Sequence, residues 1–157
     1  MDISYNSLPI TIKLDIGYYE DDHDMILFVK SNGKLFGVTD PGWHFIQQWP
    51  NKDITYLDDT IKINSLGNID EAYIVLFDYP AYMNKSLPKF RDEETCISLY
   101  AGNEILYQVK PSVGDMEDYC WIACSLRIAK DGSVQLSTEN TYVDIFSFLT
   151  DNNAQLL

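Results

Sequence analysis

The chain has 157 residues, 46% hydrophobic and 13% aromatic, and carries 24 Asp and Glu against 11 Lys and Arg, a formal net charge of -13. So many aromatics rule out a disordered acidic tail, and the length suits one globular domain, 1–157, whose core needs no metal or disulfide. A net-negative body repels phosphate backbones and anionic bilayers, which disfavours nucleic-acid and membrane-surface binding and favours a basic protein partner.

Leu8, Ile10, Ile12, Leu14 and Ile16 alternate with Thr11, Lys13, Asp15 and Gly17, which predicts a strand with one wet face. Residues 1–20 hold neither a basic start nor an unbroken apolar stretch, so no export signal is expected. Glu20, Asp21, Asp22, His23 and Asp24 break the strand as a turn. Strands are expected at 25–30 and 35–39, joined by Asn32-Gly33, the pair a type I′ hairpin turn demands.

Asp40 and Pro41 read as the cap and first turn of a short helix carrying Trp43, Phe45, Ile46, Gln47 and Trp49, stopped by Pro50. Short strands are expected at 54–57 and 60–64. Residues 72–79 are rich in Tyr, Ile, Val and Phe and are read as a strand buried on both faces and ended by Pro80. Asn68 with Glu71 imitates a capping pair there, and Ile69, Ala72, Tyr73, Leu76 and Phe77 also fit a helical stripe, so a helix is the alternative. No apolar run, 72–77 included, is long enough to span a bilayer.

Residues 80–94 form a long connection with Pro80, Pro88, three basic residues and three consecutive acids. A second hairpin is expected over 95–110, followed by an acidic loop to Asp118. Strand 119–128 would set Cys120, Ile122, Cys124, Leu126 and Ile128 on one face and Tyr119, Trp121, Ala123, Ser125 and Arg127 on a wet face. Asp131-Gly132 turns it into a strand at 133–137. Thr141 with Asp144 resembles a capping box for a closing helix through Tyr142, Ile145, Phe146 and Leu149, and 151–157 would fray. The expected class is α+β: a predominantly antiparallel sheet of about seven to nine strands with one or two short helices packed on it.

The chemistry is sparse. There is no nucleophile elbow, no phosphate loop and no cysteine framed by a histidine; His23 and His44 are the only histidines. The acids around His23 lack the glycine and closing glutamate of a calcium loop, and Cys/His spacing for zinc is missing. Neither an enzyme nor a metal or cofactor is expected. Cys120 and Cys124 on one strand would lie about 13 Å apart, too far for a disulfide. With Cys96 they read as reduced core thiols of a cytoplasmic protein.

More than half of the 24 acids fall in five turn-borne clusters. These are Glu20, Asp21, Asp22 and Asp24; Asp58 and Asp59; Asp70 and Glu71; Asp92, Glu93 and Glu94; and Asp115, Glu117 and Asp118. Turns are where solvated charge belongs, which accounts for part of this pattern. The functional reading is a negative surface that docks on a basic groove, anchored by Tyr119, Trp121, Tyr79 and Tyr82. The expected function is a small inhibitory binding protein, foremost an immunity protein occluding a nuclease-type toxin. The alternatives are a nucleic-acid mimic that inhibits a defence nuclease, and a ligand-binding or enzymatic β-domain with an aromatic pocket.

Overall fold

A computed structural model describes residues 2–3, 9–15, 23–40, 45–86, 95–111, 119–128 and 133–157. The strands are β1 (Asp2–Ile3), β2 (Ile10–Asp15), β3 (His23–Ser31), β4 (Lys34–Val38), β5 (Ile54–Leu57), β6 (Thr60–Ile63) and β7 (Glu71–Asp78). After helix α1 (Tyr79–Asn84) come β8 (Cys96–Ala101), β9 (Glu104–Val109), β10 (Cys120–Ile128), β11 (Val134–Val143) and helix α2 (Ile145–Asp151). They build one six-stranded sheet, β1-β11-β10-β7-β3-β4, and one five-stranded sheet, β5-β6-β2-β8-β9. Every named strand pair is antiparallel. The expected class holds, with more strands than anticipated.

Periodicity separates the two sheets. In the five-stranded sheet Ile10, Ile12, Ile61 and Ile63 are buried, while Lys62 between the last two and Lys13 after Ile12 face water. That is the alternation of a sheet with one wet face. In the six-stranded sheet Met25 to Val29 and Ala72 to Phe77 are buried almost without break, Tyr73 excepted. Both faces of that sheet are covered. Met25, Leu27, Val29, Ile74, Leu76 and Leu126 meet Ile10, Ile12, Ile61 and Leu99 of the other sheet in the main core. On the far face Ile26, Phe28, Val75, Phe77, Cys120 and Ile122 pack under Ile145 and Leu149 of α2. Each fully buried side chain of this size contributes about 1.5–3 kcal/mol. Helices of six and seven residues are marginal alone, so packing holds them in place.

The Asn32-Gly33 turn has both residues at positive φ (52° and 74°), as the hairpin demands. Residues 71–78 are the strand. Four other expectations are corrected. The helix read from Asp40 to Pro50 does not form over the described part: residues 45–50 are extended alongside β4. The Trp49 N–H goes to the Gly37 carbonyl and the Gln47 N–H to the Gln155 carbonyl, because the open edge of β4 and the chain's last residues offer partners that a short helix cannot match. Pro80 opens α1 instead of a loop; it sits in the first turn, where a missing N–H is harmless, and the Asp78 carboxylate accepts the Ala81 N–H at 3.1 Å. Thr141 belongs to β11, and Asp144 alone caps α2 by accepting the Ser147 N–H at 2.9 Å. Residues 151–157 are tied down, not frayed: the Leu35 N–H reaches the Asn153 carbonyl, the Gln155 N–H the Leu35 carbonyl and the Leu157 N–H the Phe45 carbonyl.

The faces of β10 are also corrected. Its register against both neighbours shifts between Ile122 and Cys124. The extra residue of a bulge turns the strand over. Trp121, Ala123, Cys124 and Leu126 therefore all join the main core, while Cys120 and Ile122 face the helices. There is no wet face for Trp121 to stand on.

Candidate functional site: the acid-bearing end of the sandwich

Three connections whose sequences are acidic start and finish at one end of the sandwich. In the six-stranded sheet that end is marked by His23 opposite Asp78, and by Cys120 opposite both Phe77 and Val143. In the five-stranded sheet it is marked by Asp15 opposite Cys96, and by Ile97 opposite Val109. The two ends coincide: the Asn140 amide of β11 donates to the Lys110 carbonyl just beyond β9, and the Tyr107 and Thr138 hydroxyls bond each other. β2 leaves this end toward β3, α1 toward β8 and β9 toward β10.

Those three connections carry most of the partner-binding residues expected from sequence. Glu20, Asp21, Asp22, Asp92, Glu93, Glu94, Asp115, Glu117 and Asp118 lie outside the described residues. The described residues that flank them (Asp15, His23, Ser86, Thr95, Pro111 and Tyr119) fix where each connection departs and returns. The Asp58-Asp59 turn joins the same end, with the Leu14 N–H reaching the Asp59 carbonyl at 3.3 Å. Asp70 and Glu71 stand at the opposite end and serve the fold. Asp70 accepts the Asn32 N–H at 3.2 Å, and Glu71 pairs with Arg127 at 2.9 Å and accepts the Tyr73 hydroxyl.

Asp24 is on β3 opposite Phe77. The Tyr56 hydroxyl donates to Asp59 at 3.3 Å. Burial, then the charges of Asp59, Asp40 and Asp24, hold that phenol well above its ordinary range. Carboxylates from β3, from the residues after β4 and from the β5–β6 turn thus act on one hydroxyl; from sequence, Asp40 was taken as a helix cap and neither it nor Tyr56 was assigned to the site. Thr95, also at this end, is buried with no partner for its hydroxyl. Among the described residues no three His, Cys, Asp or Glu side chains stand close enough to hold a metal ion.

Three of the four expected aromatic anchors come together. Tyr82 of α1 stacks against Tyr119 at 5.7 Å and Phe77 at 5.5 Å, and Tyr79 lies 6.1 Å from Phe77. Phe146, in the first turn of α2, adds a ring 6.1 Å from Tyr82. Tyr79, Met83 and Phe146 are 48%, 57% and 54% exposed. The fourth anchor is wrong: Trp121 is 0% exposed and its indole N–H is spent on Asn140. The unbroken apolar run 119–124 was the signal that its strand is covered on both faces. Phe146 was legible as well, since Ile145 and Phe146 are adjacent on a helix and cannot both face the sheet.

The arrangement defines a class, a two-sheet antiparallel β-sandwich with helices on one outer face and an acid-bearing end. Two solved structures share the fold. One is a protein of unknown function, with TM-score 0.60 and 9% identity over 88% of this chain and 93% of the other. The second is a homologue of the telluride resistance protein TerD from Streptomyces coelicolor A3(2), with TM-score 0.61 and 10% identity over 93% of this chain and 97% of the other. At such identities the likeness is one of fold alone. No family model and no curated protein matches the sequence. No described helix is long and apolar enough to cross a membrane.

Proposed function

We propose that this chain is an inhibitory binding protein that presents its acid-bearing end to a basic protein, foremost as the immunity partner of a nuclease-type toxin. One observation carries the reading: the three acidic connections and the Asp58-Asp59 turn depart from the same end of the sandwich. A net charge of -13 over the chain speeds encounter with a cationic cleft and repels nucleic acid that competes for it. Free thiols at Cys96, Cys120 and Cys124 support a cytoplasmic setting.

The test is capture from the native host followed by titration against the basic protein recovered. Sub-micromolar binding is expected, with an association rate that falls as salt rises. Asp58→Asn with Asp59→Asn should slow association, since Asn tolerates the positive φ at both positions, while Glu104→Gln at the other end should not. Capture of no basic protein, or binding indifferent to salt, would end the proposal.

A further inference from the structure

Resting on the reading of a basic partner, we propose that Tyr79, Met83 and Phe146 form the seat for an arginine-bearing segment of that partner. Tyr79 and Met83 are one helical turn apart on α1 and share a stripe. Tyr82, half-buried between Phe77, Tyr119 and Phe146, joins that stripe to the first turn of α2 and makes the patch continuous. Single exposed apolar residues are unremarkable, whereas a contiguous group rimmed by acids marks an interaction surface. Asp144, two residues before Phe146, caps α2 through the Ser147 N–H, and Asp24 on β3 pairs in register with Phe77, whose ring contacts Tyr79 and Tyr82.

Charge complementarity names the occupant. A guanidinium is planar and weakly hydrated; it stacks on Tyr and Phe faces while neighbouring carboxylates take its N–H groups. An ammonium is compact and strongly hydrated and gains less from the rings. A second copy of the chain is a poor occupant, because each copy brings a net charge of -13 and like fields oppose docking. Three exposed side chains also fall short of the roughly 800 Å² per partner of a standard interface.

Labelled oligo-arginine and oligo-lysine peptides of equal length, followed by fluorescence anisotropy at low salt, test the seat. The arginine peptide should bind at least about fivefold more tightly. Tyr79→Ala with Phe146→Ala should lower arginine affinity to the lysine level and leave lysine affinity unchanged. Ile105→Ser, equally exposed but on β9 at the far end, should alter neither. Unchanged circular-dichroism melts verify that the variants fold. If neither peptide binds, the basic-partner reading itself fails. Equal binding of both, or a double variant that weakens both alike, overturns the arginine seat while leaving the acidic end intact. A free chain that sediments as a dimer and becomes monomeric on Phe146→Ala also overturns it, with a second copy as the occupant.

Discussion

The Trp121 indole N–H donates to the Asn140 side-chain oxygen at 2.8 Å, and the same amide passes a hydrogen bond to the Lys110 carbonyl at 3.2 Å. A residue in β11 of one sheet thereby satisfies a fully buried donor of β10 and grips the end of β9 in the other. Asn140→Ala should cost about 1–3 kcal/mol, because the indole N–H is left buried without a partner. Positive φ at Asn140 (43°) adds to that cost. Urea denaturation measures it, and a loss below about 0.5 kcal/mol would deny the amide this role.

Gly37 is a second joint. A Cβ there would sit 2.9 Å from Ile46 Cγ2 and 3.2 Å from Thr39 Cγ2, and Ile46 is buried. The Gly37 N–H and carbonyl hold Gln47 and Trp49, so the backbone cannot retreat freely. Gly37→Ala should destabilise by about 1–3 kcal/mol through overpacking. In a double-mutant cycle Ile46→Ala should offset part of that loss, whereas simple additivity would place the cost elsewhere.

Two phenols govern alkaline stability. Burial, then hydrogen bonding to and charge from Glu71, holds Tyr73 well above its ordinary value of 10.0, and Arg127 only partly opposes this. Tyr56 is raised by burial and by Asp59. Raised in the folded state, each stays protonated where its unfolded counterpart ionises. The stability they lend is whole below pH 10.0 and drains as the pH climbs through the folded value. The urea midpoint should fall above that pH, and less steeply in Tyr56→Phe and Tyr73→Phe. Identical slopes in wild type and both variants would contradict this.

Thiol titration reports the two sides of β10. Burial pushes the Cys120 thiol far up and the Cys124 thiol up to about 12. The thiolate is the reactive form, so a disulfide reagent should label half-buried Cys96 alone in the native protein. Cys120 and Cys124 should react only after unfolding; labelling of either at the Cys96 rate would mean that the strand opens readily.

The hairpins were legible because their turns have chemistry of their own. Asn32-Gly33 declares a type I′ turn outright. Asp58 and Asp59 also lie at positive φ (51° and 56°) without any glycine, and that turn showed only through its flanking strands. Strand β7 was legible from composition, since no wet residue interrupts it. The faces of β10 were not, because a bulge leaves no mark in a period-two pattern, and from Cys124 onward the residues were set on the wrong side relative to Trp121. The extended path of 45–50 was equally hidden: its partners are Gly37 and the chain's last residues, which no local signal connects. Of the candidate end, the acids and three aromatic anchors could be named from sequence, but which sheet end each connection leaves could not. That is a property of strand order.

The bonds from Asn153, Gln155 and Leu157 to β4 and its neighbours have a consequence during synthesis. The Asn153 side chain donates to the Gly33 carbonyl across 120 positions of sequence. At about 5–20 residues per second, β4 leaves the ribosome some 6–24 s before the segment that seals it. Residues 45–50 can cover the edge at Gly37 early, but through that interval the stretch at Leu35 stays unsealed, and a chaperone or a neighbouring nascent chain can claim it first.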